Sequence, residues 1–309
     1  MPAIAYFGPS GTFTEMALGQ FTSLGVLDEL GLTGEVQRVP MTSPPSTLQA
    51  VRDGGVVAAV VPIESSVEGS VPPTLDALAV GTRLQILAET EIEVAFSILG
   101  APGMTLAEVR TIRAYPIAAN QIRQWLDANL PGVEVHFASS NAGAAEDVAA
   151  GLADAAVSTV LAGERLGLPA LAHGVADVGN ARTRFVLVGA PRPALAPTGA
   201  DRTAVVLMPD NQPGALLGAL SEFGIRDIDL TRIESRPTRT EFGTYRFYVD
   251  CVGHIDDPAV SEALGALHRK MELRYLGSWP VATGTGRTPP SLDREIEWLA
   301  GLRAGKGDR

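Results

Sequence analysis

The sequence predicts an α/β protein of 309 residues with two differently built halves. Before residue 190, short apolar runs alternate with helical patterns, which is typical of α/β lobes with largely parallel sheets. After residue 202 the segments follow the order β-α-β-β-α-β, which is the ferredoxin-like arrangement. Between the halves, the proline- and alanine-rich stretch APRPALAPTGADR has the composition of a linker. The length fits two domains, each large enough to bury a core.

Four strand-helix units are predicted in the first half. The apolar runs are AIAYFG, VVAAVVP, FSILG and TIRAY, and the helices after them are expected from Thr14, from Pro73, near Leu106 and from Ala118. Ligands of such sheets bind beyond the carboxyl ends of the strands. The turns that follow the strands are therefore the first places to look for a site.

The second half reads as strands TAVVLMP, IDLTRIESR, TYRFYVDCVG and MELRYLGSW with helices GALLGALSEFG and PAVSEALGALHRK between them. Gly224 is expected to end the first of these helices as a C-cap glycine. A Gly/Pro-rich stretch from Thr283 to Pro290 then separates the last strand from a short helix around Leu292 to Leu302.

Composition excludes several classes of function. The formal net charge is −11 and no long basic run occurs, so a nucleic acid or an anionic membrane would be repelled. The only cysteine, Cys251, excludes an internal disulfide and favours a reducing compartment, which predicts a cytoplasmic protein. Neither a signal peptide nor a stretch of about 18 apolar residues is present. The histidines are scattered without metal-binding spacing, so no metal site is expected.

The first candidate turn is FGPSGTFTEMAL. Gly8 and Gly11 allow a sharp turn after the strand, and Thr12 and Glu15 have the spacing of a capping box. The free amides at the start of that helix would bind a carboxylate or phosphate. A capped turn without a ligand explains the same residues. Nucleotide binding is not supported, because neither GxGxxG nor a P-loop lysine is present.

The second candidate turn lies in VPIESSVEGSVPPTLDAL, where a buried strand ends in a loop rich in hydroxyl groups. Ser65, Ser66 and Ser70 are possible hydrogen-bond donors, and Gly69 allows close approach of the backbone. A serine nucleophile would need a base, and no histidine is near in sequence. A polar loop before a helix that begins with proline is the alternative.

The third candidate turn is NARTRFVLVG. Strand alternation would place Thr183 and Phe185 on one face and Arg182 and Arg184 on the other. Thr183 and Arg184 can therefore contact one ligand only if the strand has not fully begun. A threonine at the start of a strand is also an ordinary β-former. In the second half, NQPGALL and IESRP are turns that could hold the charged ends of an amino acid, or ordinary turns without a ligand.

Taken together, these motifs resemble a known family. GPSGTFTEMAL, PIESSVEGSVPPTLD and NARTRF are similar to motifs of prephenate dehydratases, and GALL and ESRP resemble the signature turns of the ACT regulatory domain found in those enzymes. The resemblance implies conversion of prephenate to phenylpyruvate in phenylalanine biosynthesis, inhibited by phenylalanine. It also implies two lobes similar to a periplasmic binding protein, no cofactor, and a homodimer or homotetramer with effector sites where ACT domains meet.

The resemblance also implies roles for individual residues. Thr183 is the catalytic residue of the TRF motif. The substrate-binding residues are Thr12, Phe13, Ser65, Ser66, Gly69, Gln121, Arg184 and Phe185. Ser65 stands where the family usually has asparagine, and the segment YPIAANQ, which contains Gln121, matches the family pattern only loosely. The effector-binding residues are Asn211, Gly214, Ala215, Leu216, Leu217, Glu234, Ser235, Arg236 and Pro237.

The implied domains are a catalytic domain over 1–189, a linker over 190–202, an ACT domain over 203–280 and a C-terminal tail over 281–309. Three other functions stay open on the sequence. Arogenate dehydratase would use the same scaffold. A non-catalytic amino-acid sensor is a second possibility, against which Thr183 and Ser66 count. A dehydrogenase is the third, although it lacks a dinucleotide fingerprint.

Overall fold

The computed structural model describes residues 1–284 and 287–306. Contacts divide the chain into two compact units. The first comprises Met1–Ala77 and Thr90–Val188, and the second comprises Leu78–Glu89 and Gly189–Arg309. The second unit thus includes a segment that precedes the predicted linker, and the domain bounds read from the sequence stay a prediction.

The first unit holds two sheets and the helices that cover them. The strands, in chain order, are β1 (Ala3–Phe7), β2 (Gln37–Met41), β3 (Ala58–Ser65), β4 (Gly69–Ser70), β5 (Gln85–Glu93), β6 (Ser97–Gly100), β7 (Thr111–Ala114), β8 (Glu134–Phe137), β9 (Ala155–Ser158), β10 (Ala170–His173) and β11 (Arg182–Gly189). The helices are α1 (Phe13–Ser23), α2 (Val26–Glu29), α3 (Pro44–Arg52), α4 (Pro72–Ala79), α5 (Pro116–Gln121), α6 (Arg123–Asn129), α7 (Asn141–Ala149) and α8 (Val160–Leu166). β5 belongs to this unit from Thr90 onward.

Each sheet forms one lobe. Lobe A has the strand order β2-β1-β3-β11-β5, with β4 paired to β3, and lobe B has the order β10-β6-β9-β7-β8. The predicted parallel pairing holds where β1 joins β2 and β3, and where β7 joins β8 and β9. Antiparallel pairs, such as β6 with β9 and with β10, make the sheets mixed. The α/β class and the two lobes predicted from the sequence are confirmed.

The chain crosses between the lobes twice, after β5 and before β11. The two crossings lie side by side, because the amide of Val94 donates to the carbonyl of Ala181 at 2.7 Å. Lobe B has its own apolar core, built around Phe96, Ile98, Ile112, Ile122 and Val157. A pair of adjacent crossings between two cored lobes is the arrangement expected of a lobe pair similar to a periplasmic binding protein.

One predicted helix of the first half is absent from its place. The segment near Leu106 forms only a single 3₁₀ turn, Leu106–Glu108. Gly103 in a left-handed conformation (φ 85°) precedes this turn, and Val109 ends it in an extended conformation (ψ 125°), so no longer helix forms. The helix expected from Ala118 is present as α5. It begins two residues earlier, at Pro116, whose ring suits the first helical position.

The second unit contains the β-α-β-β-α-β arrangement read from the sequence. Its elements are β12 (Asp201–Met208), α9 (Ala215–Gly224), β13 (Leu230–Pro237), β14 (Tyr245–Val252), α10 (Pro258–His268), β15 (Glu272–Pro280) and α11 (Asp293–Arg303). The antiparallel sheet has the order β13-β14-β12-β15. Both main helices pack their apolar sides on it through Phe223, Val260 and Leu267.

Gly224 does not act as the predicted C-cap. It is the last residue of α9, the cap is Ile225 in a right-handed conformation, and the left-handed residue is Asp227 (φ 52°). An aspartate tolerates this conformation because its short polar side chain bonds locally. The short C-terminal helix is confirmed as α11. None of the helices within residues 1–284 and 287–306 is long and apolar enough to cross a membrane.

Candidate active site

The turn between β1 and α1 leaves a helix end open. Gly8 (φ 107°) and Gly11 (φ 88°) have positive φ angles, which are typical of the sharp turn that the sequence predicted here. The predicted capping box is wrong, because the Thr12 hydroxyl donates to the carbonyl of Pro9 at 3.1 Å and does not cap α1. The backbone amides of Phe13, Thr14 and Glu15 have no acceptor among the described residues. Three donors at a helix start form an anion-binding surface.

Glu15 holds this turn in place from the first turn of α1. Its side chain is 2% exposed, and its Oε2 accepts from the Gly11 amide at 2.8 Å. Its Oε1 lies 2.7 Å from Arg165 Nη2 and 3.4 Å from Arg38 Nη1. Burial alone would raise the pKa of this carboxyl, but the Gly11 hydrogen bond and the two arginines outweigh burial and lower it. Glu15 is therefore ionised at neutral pH.

Lobe B contacts the same turn directly. Arg165 lies on α8, and the Thr159 hydroxyl at the start of α8 donates to the Gly11 carbonyl at 2.6 Å. Phe13 packs edge-on against Phe96 of lobe B, with ring centroids 5.7 Å apart. The first candidate turn is thus part of the junction between the lobes.

The second turn is a tight hairpin from β3 into β4. The Ser65 hydroxyl accepts from the amides of Val67 and Glu68 at 3.2 and 3.3 Å, so it supports the turn locally, as an asparagine side chain also can. Gly69 has φ 79°, which explains the glycine. No described atom lies within 4 Å of where a Cβ would be, so the protein itself makes no close approach there.

Ser66 joins the second turn to the third. Its amide donates to the carbonyl of Arg182 at 2.8 Å, and its hydroxyl accepts from the amide of Arg182 at 2.9 Å. The hydroxyl hydrogen of Ser66 has no acceptor in the part of the chain that the structure describes, and so can donate to a ligand. Ser66 therefore fixes the residue immediately before Thr183.

Thr183 lies half-buried at the second position of β11. Its hydroxyl forms no hydrogen bond with any residue in 1–284 or 287–306, which leaves it available to a ligand. The strand begins at Arg182, so Thr183 and Arg184 point to opposite faces. The two side chains could contact one ligand only if the strand had not yet begun at Thr183, and in the structure it has.

Arg184 and Phe185 lie deeper in lobe A. Arg184 is 5% exposed, and its Nη2 forms an ion pair with Glu64 Oε2 at 2.9 Å. Phe185 is buried in the apolar interior. A direct contact with substrate stays a prediction for each of these two residues.

Gln121 brings lobe B to the serine loop. It is the last residue of α5, and its Nε2 donates to Glu68 Oε1 at 3.0 Å. The loosely matched segment YPIAANQ therefore does place its glutamine beside the second turn. The structure thus joins the second turn to the third through Ser66 and Arg182 and to lobe B through Gln121, and it joins the first turn to lobe B through Phe13.

Sequence reasoning missed three charged residues of this region. Glu64 and Glu68 lie within the motif PIESSVEGS itself. Their positions on either side of its first two serines could have identified them from the sequence. Arg165 lies in the helix sequence VLAGERL, which carries no motif. Its role follows only from its contact with Glu15.

The predicted effector residues all lie in the second unit. Gly214 has φ 82° and is the N-cap of α9, which begins with Ala215, Leu216 and Leu217. Glu234 to Pro237 form the end of β13, an edge strand of the sheet. The side chain of Asn211 lies near Gly243 in the hairpin that follows β13. The two candidate turns are thus neighbours at one end of the sheet.

Comparison with known proteins identifies the family. The family model described as prephenate dehydratase matches residues 4–193, and the ACT domain model matches residues 202–269. Prephenate dehydratases of Mycobacterium tuberculosis H37Rv and Mycobacterium leprae Br4923 are 60% and 58% identical, over 100% and 99% of this chain and 96% of each relative. The crystal structure of prephenate dehydratase in complex with L-Phe from Arthrobacter aurescens is 36% identical, with a TM-score of 0.88 over 98% of this chain and 99% of that one. The chain therefore belongs to the prephenate dehydratase family and carries an ACT domain after its catalytic part.

Proposed function

We propose that this chain converts prephenate to phenylpyruvate, and that the Thr183 hydroxyl assists the departing hydroxyl group of the substrate. The observation that carries the assignment is the position of Thr183 where the lobes meet. Thr183 is half-buried, its hydroxyl has no partner among the described residues, and the residue before it is held by hydrogen bonds to Ser66. A positioned donor of this kind is the main chemical requirement of the reaction.

The reaction needs little more than alignment and charge stabilisation. The bond from the ring to its carboxylate breaks, and its electron pair enters the ring as carbon dioxide leaves. The ring carbon on the far side then loses its hydroxyl, which takes a proton and departs as water. The product ring is aromatic, so the change is strongly downhill, and no electron is gained or lost overall. A hydrogen bond to the leaving oxygen stabilises the charge that develops there, an effect worth roughly 10² to 10⁴ in rate.

The substrate is an anion with two carboxylates, so the site needs positive potential. The open amides of Phe13, Thr14 and Glu15 supply it at the start of α1. The Ser66 hydroxyl adds a neutral donor beside them. Arg184 contributes less positive potential than an arginine without an acidic neighbour would, because the Glu64 carboxylate compensates part of its charge. We therefore assign carboxylate binding to the helix start, and to Arg184 only a contribution to the local positive potential.

Apolar and amide groups complete the proposed site. Phe13 and the buried Phe185 supply the apolar surroundings that favour release of neutral carbon dioxide from a charged carboxylate. Gln121 contacts Glu68 across the lobes and can exchange that hydrogen bond for one to the substrate. Closure of lobe B onto lobe A would then exclude water from the reacting groups.

The central test compares three variants of Thr183. Thr183→Val keeps the size and β-branching but removes the hydroxyl, so we expect kcat to fall about 10² to 10⁴-fold with a small change in KM. Thr183→Ser keeps the hydroxyl and should retain far more activity. Thr33→Val, on an exposed loop, is the matched control. Phenylpyruvate is measured from prephenate, with arogenate as a second substrate. Near-normal turnover by folded Thr183→Val would refute the role of Thr183, and preferred turnover of arogenate would reassign the substrate.

We further propose that phenylalanine inhibits the enzyme by binding to its ACT domain in a homodimer or homotetramer. The support is the ACT match, the L-Phe complex of the Arthrobacter relative, and the neighbouring turns around Asn211 and Pro237. Inhibition requires phenylalanine to bind a less active state more tightly than the active one. For a biosynthetic enzyme of this kind we infer a cytoplasmic location.

The regulatory assignment has its own test. Gly214→Val forces a β-branched residue into a left-handed conformation at the start of α9. We expect the dissociation constant for phenylalanine, measured by calorimetric titration, to rise at least tenfold in this variant. The phenylalanine concentration needed for inhibition should rise by a similar factor, while turnover of prephenate without phenylalanine stays close to wild type. Lost turnover with intact phenylalanine binding would overturn the division of labour between the two parts of the chain.

A further inference from the structure

The C-terminal helix α11 exposes apolar side chains along its length. The helix has the sequence DREIEWLAGLR, and none of its residues is buried. Ile296, Trp298, Leu299 and Leu302 are each between 40 and 54% exposed. Only Leu292, the residue before the helix, packs against the core of the sheet in the second unit. The helix is thus anchored at its start, and its four large apolar side chains leave about half of their surface exposed to solvent.

A short helix that exposes several large apolar side chains is expected to be stabilised by a partner surface. An isolated helix of 11 residues is marginal in water, since most helix stability in proteins comes from packing an apolar face. The four large apolar side chains lie on one side of α11, whereas Asp293, Arg294 and Glu297 lie on the other. This pattern is typical of a helix that packs against another surface.

The charges of α11 indicate what that surface is. The first half carries three acidic residues, Asp293, Glu295 and Glu297, and one basic residue, Arg294, whereas the last residue of the helix is Arg303 and Lys306 follows shortly after it. Within the described residues, Glu295, Arg303 and Lys306 form no ion pair. Two such helices in antiparallel order would place acidic residues against basic ones at both ends, and their dipoles would also be opposed favourably. Parallel order would place like charges together.

We propose that α11 pairs antiparallel with α11 of a second copy of this chain. With Leu299 at the twofold axis, Ile296 of each copy faces Leu302 of the other, and Glu295 faces Arg303 on both sides. A twofold contact of this kind is self-complementary, as the symmetry of homodimers requires. Two helices of 11 residues bury less than the roughly 1,200 Å² of a stable interface. The pairing therefore strengthens association between copies and acts together with other contacts.

Site-directed cross-linking tests the geometry in the full chain. Leu299→Cys places one thiol from each copy at the twofold axis, within the short Cα separation that a disulfide needs. Glu297→Cys, two residues away on the opposite face, is the matched control. The native thiol of Cys251 does not compete, because burial raises its pKa to about 12. Mild oxidation at micromolar protein, read on a non-reducing gel, should give at least tenfold more covalent dimer from Leu299→Cys. Equal yields from the two variants, or none from Leu299→Cys, would overturn the proposal.

Charge reversal tests the pairing by an independent route. Glu295→Arg alone places like charges at both ends and should raise the dissociation constant, measured by sedimentation velocity, about tenfold or more. Combining it with Arg303→Glu restores opposite charges and should return the constant to near wild type. The proposal fails if the double variant associates no better than the single one, since a structural defect would accumulate and not be rescued.

Discussion

Replacing Glu15 by glutamine tests whether one buried carboxylate holds the junction between the two lobes. The change keeps the size of the side chain and removes its charge. One carboxylate oxygen accepts from the Gly11 amide at 2.8 Å, and the other contacts Arg165 of lobe B at 2.7 Å. Glutamine has only one acceptor oxygen, so its amide group would face donors on one of the two sides.

The expected loss follows from these contacts. A hydrogen bond to a charged group contributes about 1.5 to 3 kcal/mol, and a buried donor without an acceptor adds a cost of similar size. Arg165 and Arg38 are 39% and 38% exposed, so water recovers part of the loss when their partner becomes neutral. We therefore expect Glu15→Gln to destabilise the protein by about 2 kcal/mol at pH 7. For a unit of this size that corresponds to a fall in Tm of about 4 to 8 °C.

The effect should depend on pH with a definite sign. The pKa of Glu15 is lower in the folded state than its ordinary value of about 4.3, so its contribution to stability is complete above that value. The contribution is lost as pH falls through the lowered folded pKa. The difference in Tm between wild type and Glu15→Gln should therefore be constant from pH 5 to 8 and shrink below about pH 4.

Thermal unfolding followed by circular dichroism between pH 3 and 8 measures both quantities. Glu29→Gln, an exposed glutamate on α2, is the control and should change stability by less than about 0.5 kcal/mol. Kinetics add a functional readout, because a displaced Gly11 turn should raise KM for prephenate more than it lowers kcat. A Tm equal to wild type at pH 7, or a difference that persists unchanged to pH 3, would refute this account of Glu15.

Three further outcomes follow from the structure. Gly11→Ala should lower the free energy of unfolding in urea by more than about 1 kcal/mol, because φ is +88° and the new Cβ would lie 3.0 Å from Ala162. The control Gly54→Ala, with φ +72° and open space around the new Cβ, should lower it less. Equal losses for the two variants would argue against close packing of the lobes at Gly11. Ser65→Asn should keep its Tm within about 2 °C, since the asparagine oxygen can accept from the same turn amides, and a large fall would show that the turn depends on the hydroxyl. The buried Cys251 thiol should resist alkylation at pH 8 by mass spectrometry until the protein unfolds, whereas rapid labelling of the native protein would contradict its raised pKa.

Motif and periodicity predicted the β-α-β-β-α-β order of the second half and the positions of the three turns of the candidate site. They succeed where the signal is local, as with Gly8 and Gly11, whose positive φ angles follow from the chemistry of a tight turn. The strand predicted at the third turn is also present, and it begins at Arg182.

What sequence reasoning missed depends on contacts between distant segments. Glu64 as the partner of Arg184 comes from pairing distant strands, and Arg165 as the partner of Glu15 comes from packing one lobe on the other. The capping box at Thr12 failed for a related reason, because the Glu15 carboxylate is drawn to Gly11 and to two arginines that the local pattern does not contain. Local spacing predicts which groups are available, and the fold decides which of them meet.

The hydrogen bonds between Ser66 and Arg182 join residues 116 positions apart, yet both residues belong to lobe A. The whole of lobe B is inserted between them in the chain. In evolutionary terms, lobe B can therefore gain, lose or exchange segments without disturbing the alignment of Thr183 with Ser66. A single-residue deletion inside either motif is different, because it shifts the register of β11 and turns Thr183 to the opposite face. We expect natural variation in length to accumulate between residues 94 and 181, and proline to be excluded at position 182, because the backbone amide there donates to the Ser66 hydroxyl.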